Sequence, residues 1–89
     1  MKAIVTVLGK DQVGIIADVC TVLAENRVNI LDISQTIMQE YLTMIMLVDT
    51  DKCPKSFSEL AETLKRSGEP KNLSIQIQAE EIFNAMHRV

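Results

Sequence analysis

The chain has 89 residues, the size of one domain, with nine Lys plus Arg against twelve Asp plus Glu and a formal net charge of −3. Apolar residues at 47% and charged residues at 24% make it a globular domain rather than a disordered segment. The acidic balance and the three aromatics (Tyr41, Phe57, Phe83) argue against direct binding of nucleic acid, which needs cations for phosphates and rings for bases.

Lys2 to Leu8 is rich in β-branched residues and ends at Gly9, the pattern of a strand. Its apolar side chains fall on both parities, so a central position is expected. Gly9 to Gly14 reads as a loop entering a helix from Gln12 to about Asn26, with Asp11 as the N-cap. Ile15, Ile16, Val19, Cys20, Val22 and Leu23 recur at helical spacing. Asn29 to Gln39 alternates, Leu31, Ile33 and Ile37 against Asp32, Ser34 and Thr36, as a half-covered edge strand does. A short reversal near Glu40 and Tyr41 leads into Leu42 to Thr50, apolar on both parities from Met44 to Val48 and therefore central.

Ser56-Phe57-Ser58-Glu59 has the spacing of a capping box, and Phe57, Leu60, Ala61 and Leu64 continue as an apolar helix face. Lys65 and Arg66 suit the negative end of that helix, and Gly68 and Pro70 mark its stop. Leu73, Ile75, Ile77 and Ala79 alternate with polar residues as a last strand. Glu80-Glu81 opens a terminal helix with Ile82, Phe83 and Met86 on its apolar side.

The order β-α-β-β-α-β predicts an α+β, ferredoxin-like fold: a four-stranded antiparallel sheet, two helices on one face, and a short C-terminal helix. One domain is expected over residues 1–89, its core at 1–79 and the terminal helix at 80–89. The longest apolar run, Met44 to Val48, is far below the ~20 residues that span a bilayer. The N-terminus lacks a signal-peptide pattern, so a cytoplasmic location without membrane contact is expected. Helices on one face leave the other face of two apolar central strands in need of cover. Self-association through that face or the sheet edges is the economical answer, and a terminal helix folded over the face is its rival.

Asp11-Gln12-Val13-Gly14-Ile15-Ile16-Ala17, followed by Val28-Asn29-Ile30, resembles the ACT domain, a family of small amino-acid-sensing modules. Family members show Asp-x-x-Gly-hydrophobic at the first loop–helix junction and hydrophobic-Asn-Ile at the entry to the second strand. The chain is similar to standalone ACT proteins, and to one half of the tandem-ACT repressor accessory protein of the glycine cleavage system. The resemblance implies a ligand held between the first loop of one subunit and the second strand of another. It puts Lys10, Asp11, Gln12, Val13 and Gly14 opposite Asn29, Ile30, Leu31 and Asp32. Gly14 fits close approach of a ligand or partner backbone, or tight packing on the sheet. Asn29 offers a donor and an acceptor to a ligand, or closes a turn. Asp32 suits a ligand ammonium, or water. Gln12-Val13 stand where many members carry Arg or Lys before Pro, and a neutral loop captures anions more weakly.

Other chemistry finds no support. Cys20 and Cys53 make neither a Cys-x-x-Cys metal pair nor a disulfide framework, and the first loop lacks the Arg that a phosphate-cleaving relative of this fold would need. His87 is the one histidine, expected at the surface, and no nucleophile–base pair can be assembled. The expectation is a non-enzymatic regulatory module without a cofactor, a homodimer or higher homo-oligomer, binding a small ligand, an amino acid by class. The alternative is a ligand-free interaction subunit that docks on a metabolic enzyme or a transcriptional regulator.

Overall fold

In the computed structural model, residues 1–86 are described. The elements are β1 (Lys2–Lys10), α1 (Ile15–Glu25), β2 (Asn29–Met38), β3 (Tyr41–Asp49), α2 (Phe57–Gly68), a 3-10 turn (Glu69–Lys71), β4 (Ser74–Ala79) and α3 (Glu80–Met86). The strands form one antiparallel sheet in the order β2-β3-β1-β4. The two strands apolar on both parities are the central ones and β2 is an edge, but β2 is not half-covered: Leu31, Ile33 and Ile37 are exposed.

One parity of the sheet makes the core. Ala3, Val5 and Val7 of β1 align with Val48, Met46 and Met44 of β3 and with Ala79, Ile77 and Ile75 of β4. Onto them pack Ile15, Val19 and Leu23 of α1 and Leu60 and Leu64 of α2. Each buried aliphatic side chain stabilises this layer by about 1.5–3 kcal/mol relative to exposure. Gly68 lets the end of α2 close on the sheet. A Cβ there would stand 2.5 Å from the Leu73 carbonyl oxygen and 3.1 Å from two atoms of Ile75.

The capping box of α2 is formed: Glu59 N–H donates to Ser56 Oγ, and Ser56 N–H donates to the Glu59 carboxylate, both at 3.2 Å. These bonds to its charged form hold the Glu59 carboxyl below its ordinary value near 4.5.

The start of α1 differs from expectation. The helix begins at Ile15, and its N-cap is Gly14, not Asp11. Gly14 has φ 88°, a left-handed conformation, and its carbonyl accepts the first helical bond from Asp18 N–H at 2.9 Å. A Cβ at Gly14 would meet nothing nearer than Asp18 Oδ2 at 3.9 Å. The glycine is therefore explained by backbone conformation and not by packing on the sheet. Lys10 belongs to β1 rather than to the loop, and its ammonium lies 4.0 Å from the Glu40 carboxylate.

The sheet face away from α1 and α2 is only partly covered. Ile4 points to that side and is nevertheless buried; α3 is the further element packed on β1 and β4. Beyond α3, Leu8 and Ile45 remain 49% and 38% exposed. The terminal helix thus covers one end of the face and leaves the rest of it open. The segment 87–89, with His87, lies outside the described residues.

Candidate functional site

The residues singled out from the sequence fall into two groups at opposite ends of the sheet. The first surrounds the start of α1. Asp11 N–H donates to the Glu40 carbonyl at 2.7 Å, which ties the β1–α1 loop to the β2–β3 hairpin turn. Gln12 reaches back with its side-chain amide to the carbonyls of Lys10 (3.4 Å) and Lys71 (3.2 Å). A cleft of ≈170 Å³ opens here, lined by Asp11, Gln12, Gly14, Ile16, Gln35 and Ile37 among others. Gly14 provides no side-chain cap, so the first N–H groups of α1 lack that partner at the positive end of the helix dipole. Val13 is fully exposed beside them.

The second group surrounds the start of β2. Asn29 pairs with Asp49 of β3, and Asp49 with Lys2 of β1, at the far end of the sheet. A cleft of ≈570 Å³ is lined there by Arg27, Asn29, Asp49, Asp51 and Lys52 together with Ala24 and Val28. Asp49 and Asp51 are answered by the N-terminal ammonium of Met1, which pairs with both. Ile30 and Leu31 follow Asn29, with a bulge between Ile30 and Asp32. Asp32 accepts from the neighbouring Ile33 N–H at 2.9 Å.

Within one chain the two groups are separated by the length of β2. Nine residue steps at ~3.3 Å put Asn29 about 30 Å from Met38, the end next to the β1–α1 loop. The structure brings Asp11, Gln12 and Gly14 together, and it brings Asn29 beside Arg27 and Lys52. It does not bring the loop to Asn29.

Arg27 and Lys52 were not predicted from the sequence. Arg27 carries φ 59°, a conformation that glycine adopts at lower cost, and this is visible only once the turn is built. The available signal was a cation two residues before Asn29.

Two surfaces surround these groups. The outer edge of β2 is unpaired, and Leu31, Ile33, Ile37 and Met38 are exposed along it. On the sheet face opposite α1 and α2, the outward positions from Thr6 to Leu8, Ser34 to Met38, Thr43 to Ile45 and Ser74 to Gln76 carry no charged side chain, and Asp32 is the first charge beyond them on β2, in the row of Leu47, Ile4 and Gln78. A solvated sheet face normally does carry them. Among the described residues no three metal-ligating side chains cluster, and no helix is long and apolar enough to cross a membrane.

The element order and the strand order β2-β3-β1-β4 make this a protein of the ferredoxin-like, split βαβ class. A model of the ACT domain matches residues 2–79, and the chain belongs to that family. It is similar to a UPF0237 protein of Clostridium acetobutylicum, 58% identical over 89 residues that make up all of both chains. Among solved structures, an ACT domain protein from Streptococcus pneumoniae is 45% identical, with a TM-score of 0.83 over 98% of each chain. A glycine cleavage repressor-like protein shares the fold at a TM-score of 0.75 and 22% identity, covering 86% of this chain and 44% of its own. ACT domains are typically regulatory and ligand-binding in amino acid metabolism.

Proposed function

We propose that this chain is a non-catalytic regulatory module that acts as a homodimer and binds a free amino acid at clefts between its subunits. One observation carries the reading. The two candidate half-sites lie at opposite ends of β2, and β2 is an edge strand with an unpaired side. An antiparallel second copy added along that side brings the Met38 end of one chain to the Asn29 end of the other. Each such pair has two clefts, related by the dimer axis. In each cleft Lys10, Asp11, Gln12, Val13 and Gly14 of one subunit face Asn29, Ile30, Leu31 and Asp32 of its partner. The free N–H groups at the start of α1 suit a carboxylate, and the Asn29 amide suits either pole of a zwitterion. Two features favour the pairing: exposed apolar residues along β2, and the absence of Lys or Pro that would blunt the edge.

The test has two parts. Sedimentation of the full chain over a concentration series is expected to give a dimer or larger species at its upper end, and a 10 kDa species throughout refutes the reading. A thermal-shift screen of the twenty amino acids is expected to give a rise for at least one. A ligand at 100 times its Kd stabilises by about 2.7 kcal/mol, several degrees for a chain of this size. The uncharged central part of the sheet face favours a second reading, a ligand-free subunit that docks on a regulated protein. A dimer with a flat screen selects that reading.

A further inference from the structure

We infer that Arg27, with Lys52 and Asn29, forms the carboxylate-binding half of the ligand site. This rests on the interface reading above and adds to it the polar groups that select an anionic head group.

The β1–α1 loop is a poor anion trap by itself. Gln12 and Val13 carry no charge, and Lys10 lies against Glu40. The cleft at the head of β2 supplies what the loop lacks. Asp49 and Asp51 are both engaged by the Met1 ammonium, and Asp49 also accepts from Asp51 N–H at 2.9 Å. Arg27 and Lys52 make no ion pair and no side-chain hydrogen bond among the described residues. Among the charged side chains that line the cleft, Arg27 and Lys52 balance Asp49 and Asp51, and only the two carboxylates have a partner, the Met1 ammonium. Asn29, the residue that the family pattern singles out, lines the same cleft.

Arg27 also occupies a costly backbone position. Its φ is 59°, where an L side chain is strained and glycine is not. The turn itself needs only the backbone: Arg27 N–H donates to the Ala24 carbonyl at 3.0 Å and Val28 N–H to the Leu23 carbonyl at 2.9 Å. A cation past the end of α1 also complements the helix dipole. That account is weak at an exposed, screened site, and it leaves Lys52 unexplained, since Lys52 reaches the same cleft from the β3–α2 loop. A guanidinium fork beside an amide and an ammonium matches a carboxylate: two parallel N–H donors from Arg27, one from Asn29, and a point charge from Lys52. In the antiparallel pair this cleft faces the open start of the partner's α1, which adds N–H donors to the same head group.

The conformation of Arg27 makes the test decisive. Arg27→Gly removes the fork and relaxes the backbone, so the unliganded variant is expected to melt at or above the temperature of the parent. The full-length parent is screened against the twenty L-amino acids. The strongest binder and its carboxamide are then titrated by calorimetry into the parent, Arg27→Gly, Lys52→Gln and Gly14→Leu. The expected result is a Kd for the amino acid raised about tenfold or more by Arg27→Gly and less by Lys52→Gln. The carboxamide is expected to bind the parent more weakly and to distinguish little between parent and Arg27→Gly. A parent that responds while Arg27→Gly binds equally well overturns this inference and leaves the interface site standing. A response untouched by either Arg27→Gly or Gly14→Leu overturns both. A parent that binds none of the twenty refutes the amino-acid reading and this inference with it.

Discussion

The placement of the β1–α1 loop depends on the left-handed conformation of Gly14, which can be tested by chirality alone. Chemical synthesis gives access to the chain with L-alanine or D-alanine at position 14. At φ 88° an L-residue is strained by about 1–2 kcal/mol, and its mirror image is not. Space does not interfere, because a Cβ at Gly14 meets nothing closer than 3.9 Å. Both alanines restrict the unfolded chain equally, a gain of about 0.4–1 kcal/mol over glycine where the native conformation is compatible. The D-variant is therefore expected to be more stable than the parent, and the L-variant less stable than the D-variant by about 1–2 kcal/mol. At ~4–8 °C per kcal/mol this separates their melting temperatures by about 4–16 °C. Calorimetric melts of the three proteins decide it. Equal melting temperatures for the two alanines, or an L-variant more stable than the glycine parent, would falsify the cap at Gly14 and the position of Asp11 to Gly14 with it.

Gly68 is the opposite case. Helix propensity favours alanine there by about 1 kcal/mol, but its Cβ would stand 2.5 Å from the Leu73 carbonyl oxygen. Because Leu73 N–H donates to the Gly68 carbonyl at 2.9 Å, the two backbones cannot separate cheaply. Gly68→Ala is expected to lose about 1–3 kcal/mol in denaturant melts, and a gain in stability refutes the close approach. The capping box makes the stability of α2 pH-dependent. Glu59 titrates lower in the folded chain, so its contribution is complete above its ordinary value near 4.5 and is lost as pH falls through the folded value. Glu59→Gln keeps an acceptor without the titration and is expected to flatten that part of the acid stability curve; an unchanged curve would exclude Glu59 as its source. Ile37→Lys puts a charge on an exposed position of β2, where the fold itself should change by less than about 0.5 kcal/mol. Sedimentation is expected to show a lower dimer fraction at unaltered helicity, and an unchanged distribution argues against pairing along β2.

Most of the scaffold was legible because it follows from hydrophobic parity. Double-sided apolar runs in β1 and β3 made them central, and the alternation of β2 made it an edge. The Ser56–Glu59 box was readable because its chemistry lies in side chains at fixed spacing. What escaped were features carried by backbone conformation. Asp11 looks like a helix cap because its carboxylate could serve, but Gly14 starts the helix three residues later with no side chain at all. Arg27 was passed over because nothing in its identity announces φ 59°; the turn closing α1 imposes it. The candidate residues were legible as neighbours of the β1–α1 junction and the head of β2, although Lys10 falls in β1 and not in the loop. Their division between the two ends of β2 required the strand register, and the grouping of Asn29 with Arg27 and Lys52 required the β3–α2 loop in place.

The weakness of the β2 edge as a contact is what would let a ligand regulate it. A strip of ten residues is about 33 Å long and one strand deep, about 10 Å. Such a strip falls below the ~800 Å² per partner typical of stable complexes. A pair held by β2 alone is thus sensitive to concentration, and a molecule that contacts both chains adds its own free energy to the association. The shift it can produce is limited by its preference for the paired over the single chain. A ligand held wholly by one chain would have no such preference. Division of the half-sites between the loop of one subunit and the β2 head of the next is therefore the arrangement that couples occupancy to assembly. In the proposed site Arg27 by itself adds nothing to that coupling. A carboxylate held by Arg27 alone remains on one chain, and it promotes pairing only through the N–H groups at the start of α1 in the partner.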